Sequence, residues 1–198
     1  MPPKPIPVRR LFAVSWVMSR AFTSNRFLAV LAFPTAVLSL VPYVARRTVY
    51  ESPDRNGMVI FARHNLPLDI VLALPIAAGM GIVTVIVLLL GPTLGGFYWA
   101  VVFVVVVGLG CGAGQFISAA SLTSAVGKET PPGDRWAVMA LSQRPGTRLS
   151  ALLLTRALIK NLPPGAVVVA TAGSPELAHG YQRLGLTPGH GARLHRVV

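Results

Sequence analysis

Between Ile70 and Gly127 the chain carries no Asp, Glu, Lys, Arg or His. The run is rich in Val, Leu, Ile and Gly, and a water-soluble domain of this size seldom needs an uncharged stretch so long. A helix crossing a bilayer needs roughly 20 consecutive apolar residues, so there is room for two. Gly91, Pro92, Gly95 and Gly96 lie near the middle and supply a turn. The simplest expectation is a helical hairpin over about 68–90 and 94–117, with any chemistry in the segments on either side.

Charge is correspondingly pushed to the flanks. The 198 residues carry a formal charge of +12 with 53% hydrophobic residues. That fraction alone sits near the upper edge for globular proteins, so its concentration in one block decides the class. A basic balance in both flanks suits anionic lipid headgroups, a phosphorylated ligand or nucleic acid. Cys111 is the lone cysteine, which excludes an intramolecular disulfide. The short apolar stretch 11–18 ends at Arg20 without a small-residue cleavage site, unlike a secretory signal.

Positive residues gather on the cytoplasmic side of membrane proteins. Arg46, Arg47, Arg55 and Arg63 precede the hairpin, Lys128, Arg135, Arg144 and Arg148 follow it, and the turn between the spans holds none. Both flanks are therefore expected in the cytoplasm. A further apolar stretch, 27–45, is about long enough to span but contains Pro34 and Pro42. It reads either as a first span or as a re-entrant or interfacial element. Residues 9–26 fit an amphipathic helix on the headgroups, with Leu11, Phe12, Trp16 and Val17 dipping in. Met1–Val8, with four prolines, is expected to be disordered. Gly110-x-x-x-Gly114 and Gly108-x-x-x-Gly112 fit close helix packing in lipid better than a nucleotide loop. Asp69 reads as an interfacial acid near Arg63 or His64.

After Lys128 the texture changes to short, well-punctuated elements. Trp136–Leu141 is strand-like, Gln143–Arg148 makes a turn, and 149–162 reads as a helix with Leu149, Leu152 and Leu153 on one face. Residues 166–171 form a continuous β-branched run, as expected of a buried parallel strand. Ser174-Pro175-Glu176 is a helix start with a hydroxyl cap, proline in the first turn and an acid, and Gly185 ends that helix. Residues 191–198 supply a last strand. The expected fold is thus a membrane α-helical N-terminal region of two to three spans (27–127, after a basic segment 1–26). It is followed by a small α/β domain, 128–198, of order β-α-β-α-β whose first crossover makes a parallel pair.

The first strand-to-helix turn carries the chemistry. A helix N-terminus presents unpaired N–H groups and partial positive charge. Gly146 permits close backbone approach, and Arg144 and Arg148 add full charges. The turn suits a pyrophosphate or another anion; an ordinary solvated loop is the alternative.

The turn QRPGTRLSALLL resembles the acyl-CoA-binding motif of the GNAT superfamily of N-acetyltransferases, Gln/Arg-x-x-Gly-x-Gly/Ala, with Gln143 and Gly146 at its first two fixed positions. Ser174–Leu186 resembles the family's next motif, a helix with a tyrosine followed by Leu-Gly-Phe. Order and separation agree, and the pair covers about 134–198. The resemblance implies a partial GNAT-like fold and acetyl-CoA or another acyl-CoA as donor. Gln143, Arg144, Gly146, Thr147 and Arg148, with the helix start at Leu149 and Ser150, would hold the pyrophosphate. The strand edge Met139, Ala140 and Leu141 would pair with the pantetheine arm. Tyr181 would lie near the thioester sulfur as general acid for the departing thiolate; its alternative is a core tyrosine with its hydroxyl at the surface. Arg148 departs from the small residue of the motif, and Ser174 stands where the family often has Asn. The family's N-terminal half is not recognisable, although Met58–Ala62 is the best candidate for one of its strands. Glu129 and Asp134 read as linker acids, and His179 and His190 as exposed.

Two functional classes follow: a membrane-anchored acyltransferase moving an acyl group from CoA to an amine, or a non-catalytic half-domain used for docking or oligomerisation. In the second, a homo-oligomer would complete the sheet through an open edge strand. Membrane lipids are expected partners. Few aromatic residues in 128–198 argue against nucleic acid, and a transport or conjugation-type membrane component is a further alternative.

Overall fold

The computed structural model describes residues 3–23, 25–65, 67, 68, 71, 74, 78, 79, 81, 82, 85, 86, 89, 95, 97–102, 133–147, 149–172, 175–189 and 193–198. The chain divides into two compact units, Met1–His64 with Ser121–Val198, and Asn65–Ala120.

The first unit is mixed α/β. Helices α1 (Leu11–Phe22) and α2 (Arg26–Ala45) precede strands β1 (Val49–Glu51) and β2 (Gly57–Arg63). Beyond the apolar run come β3 (Arg135–Gln143), α3 (Ser150–Lys160), β4 (Val167–Thr171), α4 (Pro175–Arg183), β5 (Thr187–Pro188) and β6 (Arg193–Val197). They build a six-stranded sheet of order β1-β2-β3-β4-β6-β5. The expected β3-α3-β4 crossover gives a parallel pair, Arg135 opposite Val167 through Val138 opposite Ala170. All other neighbouring strands are antiparallel.

The sheet is larger than residues 128–198 alone would make it. The candidate strand Met58–Ala62 falls within β2, which pairs with β3 from Gly57 opposite Gln143 to Arg63 opposite Trp136. Alternation along β2 divides the core between two faces. Val59 and Phe61 join Val138, Val168, Ala170 and Leu194 under Leu154 and Leu158 of α3, Tyr181 of α4 and Leu184 just after it. Met58 and Ile60 join Val49 beneath Val14, Val17 and Met18 of α1 and Ala36, Leu40 and Val44 of α2. Period-two alternation in a strand covered on both sides produces this pattern of near-continuous burial.

Several sequence expectations change here. Residues 3–8 of the proline-rich start are placed rather than disordered: Pro5 bridges Tyr50, Ile6 N–H donates to the Val49 carbonyl at 2.9 Å, and the Ile6 side chain is buried. Proline is compatible with a sheet edge, where one side needs no donor. This segment covers the β1 edge, and the opposite edge, β5, is two residues long and contains Pro188. The open edge invoked for oligomerisation is therefore covered on one side and short on the other.

Helix α1 forms, but Val17 faces the protein core, not a headgroup layer; Phe12 remains exposed. Ser15 and Ser19 are fully buried because each hydroxyl donates to the carbonyl four residues earlier, at 2.9 Å. Among the described residues α2 is the one helix long and apolar enough to cross a bilayer. Its second half, however, is part of the core through Leu40 and Val44. Its first half displays Phe27, Leu28, Val30 and Leu31 at the surface. Both the spanning and the interfacial readings of 27–45 stay open: the helix is long and apolar enough to cross, and one end of it packs into the core. Two to three spans are not supported by the described residues, and most of the hairpin 68–90 and 94–117 lies outside them, as do Asp69 and the glycines around Cys111. In the second unit, described positions such as Val71, Ile82 and Ile86 are helical and exposed, as is helical Trp99.

The α3 face also shifts. Ala151, Leu154, Thr155, Leu158 and Ile159 are buried, Leu152 is half-buried, and Leu149 and Leu153 are exposed. The helix begins at Ser150, with Leu149 left-handed at φ 64° just outside it. Its start rests directly on β2: a Cβ on Gly57 would lie 2.6 Å from the Ala151 nitrogen. Because that neighbour is backbone, Gly57→Ala is expected to cost about 1–3 kcal/mol in a chemical or thermal unfolding titration.

Candidate functional site

Strands β3 and β4 begin as partners and then part. Their last pair is Val138 with Ala170, yet Thr171 continues in the ladder with Arg193 of β6 and β3 runs on to Gln143. The cause lies in β3. Met58 pairs with Ser142 and Ile60 with Met139, so Ala140 and Leu141 together oppose Val59. Ala140 takes φ 48°. This is a β-bulge, which bends its strand and ends regular pairing. A non-glycine residue in this region costs of order 1 kcal/mol and persists only when its surroundings enforce it. The predicted pantetheine edge, Met139, Ala140 and Leu141, coincides with the bulge. They lie past the last β3–β4 pair, so β4 offers them no ladder partner.

Beyond Gln143 the chain enters the bend between β3 and α3. Gly146 has φ 84°, and an added Cβ would meet nothing within 4 Å, so the backbone lies open on that side. Arg144, Pro145 and Gly146 are exposed and Thr147 is half-buried. The bend is pinned from below: Arg144 N–H donates to the Asn56 carbonyl at 2.8 Å, and the Thr147 hydroxyl to the Arg144 carbonyl at 2.6 Å. Gln143 Nε2 donates to the Thr147 carbonyl at 3.1 Å, and its Oε1 is buried without a partner. Gln143 thus shapes the bend from inside, where its amide holds the backbone. Arg148 lies outside the described residues.

Sequence reasoning missed the β1–β2 turn, which meets α3 at its start. Ser150 Oγ donates to Asp54 Oδ2 at 2.6 Å. Ser52 Oγ donates to Asp54 Oδ1, and Asn56 N–H donates to the same oxygen at 3.2 Å. These bonds, Ser150's and then Ser52's foremost, hold the Asp54 carboxyl down at about 2. A carboxylate beside a helix N-terminus is favourable, and it also sets a negative charge beside the start of α3. The signal in the sequence was Ser52-Pro53-Asp54-Arg55-Asn56-Gly57, a turn composition whose partner is 96 residues away.

Tyr181, the proposed proton donor, sits in the core on α4 at 2% exposure. Burial pushes its phenol up to about 12. It therefore stays protonated at neutral pH, and burial makes it a weaker acid than an exposed phenol. His179 is exposed as expected, Asp134 pairs with Arg63, and Ser174, His190 and Glu129 lie outside the described residues. Among the described residues no group of His, Cys, Asp and Glu is arranged to hold a metal ion.

No protein-family model matches the chain, and no characterised protein matches it significantly.

A folded-state pKa below the unfolded one contributes stability above the unfolded value, lost as pH falls through the folded value. The Asp54 contribution should be intact above about pH 4 and disappear between pH 4 and 2. Thermal unfolding of wild type and Asp54→Asn across pH 2–7 should show the wild type more stable near neutrality and the two curves merging at the acid end.

Proposed function

We propose that the chain is a membrane-tethered N-acyltransferase that uses an acyl-CoA donor. The single observation that carries this reading is the parting of β3 from β4 at the Ala140 bulge, directly upstream of an open, glycine-containing bend at the α3 N-terminus. Such a notch accepts an extended, amide-bearing arm, and the bend accepts the phosphates attached to it. CoA has this chemistry: pantetheine is extended and amide-rich, and its pyrophosphate is an anion.

The GNAT resemblance gains support from the topology. Strands absent from the recognisable motifs are supplied by β1 and β2 from before the apolar run. The order β3-β4-β6-β5 places the last strand inside the sheet, beside the parallel pair. In the proposed reaction an amine attacks the thioester carbonyl carbon, a C–N bond forms and the C–S bond breaks. Backbone N–H groups left without a β4 partner are donors available to polarise the carbonyl. The leaving thiolate takes a proton from the Tyr181 phenol, and the amine releases one to solvent. The acceptor is any amine that reaches the notch.

The tether reading rests on the uncharged run Ile70–Gly127. Because β2 and β3 are sheet neighbours, the chain enters and leaves that run at one place. Any bilayer crossing within it must come in an even number, with both flanks on one side. The charge rule assigns that side to the cytoplasm.

One observation favours a non-catalytic reading: the Asp54 carboxylate already occupies the charge environment of the α3 start. Calorimetric titration of the detergent-solubilised protein with acetyl-CoA separates the two. Saturable binding is expected, abolished by Gly146→Asp and strengthened about two- to fivefold by Asp54→Asn, which removes a like charge. No binding at millimolar ligand overturns the enzyme reading. With an amine acceptor in hand, Tyr181→Phe should lower kcat about 100-fold with CoA affinity unchanged; an unchanged kcat would leave the tyrosine a packing residue.

A further inference from the structure

The end of the sheet opposite the bend gathers arginines from three separate segments. Arg46 and Arg47 follow α2, Arg63 ends β2, and Arg135 begins β3. Arg46 Nη2 donates to the Arg63 carbonyl at 3.1 Å, and His64 N–H to the Arg135 carbonyl at 2.8 Å, so these residues are held side by side. Asp134 pairs with Arg63. Burial first, and then the charges of Arg135 and Arg46, hold the His64 imidazole below its ordinary value. Arg135 Nε is buried without a hydrogen-bond partner.

At this same end the chain departs for the uncharged run and returns from it. Arg63 lies seven residues before Ile70, and Gly127 lies eight residues before Arg135. A concentration of arginines where a chain enters an apolar phase matches the negative potential of an anionic membrane surface. We infer that Arg46, Arg47, Arg63 and Arg135 form a collar that seats the α/β unit on anionic lipid headgroups. This rests on the tether part of the proposed function and not on the acyl transfer. Lipid charge then governs the orientation of the unit: β3 spans nine residues, so at about 3.3 Å each the bend stands roughly 25–30 Å from the collar end. Soluble CoA meets the bend from the aqueous side.

The test uses the full chain, with Cys111→Ser, in lipid nanodiscs. An environment-sensitive fluorophore is placed at Ala45→Cys, beside the collar, or at Pro145→Cys on the bend, and quenched by headgroup-labelled lipid. At Ala45, quenching is expected to be about twofold or more greater in anionic than in zwitterionic discs, with the gain lost near 1 M salt. Arg47→Gln/Arg63→Gln should abolish the gain. Should that pair lose its fold by circular dichroism, Arg47→Gln alone, on an exposed turn, should reduce it. Pro145 should stay unquenched throughout. An Ala45 label indifferent to lipid charge, in a chain that resists carbonate extraction, overturns the collar and leaves the tether standing. Extraction by carbonate overturns both. A label that answers to added RNA and not to anionic lipid also overturns the proposal.

Discussion

The antiparallel ladder between Gly57–Arg63 and Arg135–Gln143 joins segments on either side of the whole apolar run. Closing a loop of that length, with Arg63 and Asp134 71 positions apart, costs about 4 kcal/mol of chain entropy. Backbone pairing along the strands and burial of Met58, Val59, Ile60 and Phe61 on two faces offset it. Without this ladder β3 would lose its neighbour on one side, and helices α1 and α2 would lose the floor formed by Met58 and Ile60. The ladder also decides how the apolar run is attached: the chain leaves for it and returns from it at the same end of two neighbouring strands.

The ladder carries the irregularity on which function is proposed. Two residues of β3 stand opposite Val59, and the extra one turns the strand away from β4. A bulge at this position does two things at once. It ends the parallel pairing after four residues, which leaves the last part of β3 without β4 as a neighbour, and it delivers the chain to the bend that begins at Arg144. The contact between Gly57 and the first turn of α3 fixes the height of that helix start above the sheet. Asp54, bound to Ser150, fixes it from the side. The bend proposed to take a phosphate-bearing ligand is thereby positioned by a strand, a turn and a helix that derive from both flanks of the apolar run.

Local pattern carried much of the C-terminal half. Trp136–Leu141, the β-branched run around Val168, and the Ser-Pro-Glu helix start each announce themselves within a few residues, and the structure follows them in order. The α3 face went astray because Leu149 stands outside the helix in a left-handed conformation, so its phase is set by Ala151, Leu154 and Leu158. Strand β1 is three residues long and β2 has its partner across the apolar run, so neither has a local signal beyond the short apolar run Met58–Ala62. The bulge was illegible for a different reason. Ala140 adopts a backbone geometry that glycine usually marks, and only the pairing on both sides of β3 demands it. Likewise Pro5 and Pro7 looked like a free arm until Ile6 found its place against Val49.

The central claim is that one ligand occupies both the β3 notch and the bend. Hydrogen–deuterium exchange of the full chain, with and without saturating CoA, tests it most directly. The account predicts slowed exchange at two separate stretches together, Met139–Leu141 and Gly146–Ala151, with β6 amides unchanged. Slowed exchange at neither stretch, or at the bend alone, would contradict it.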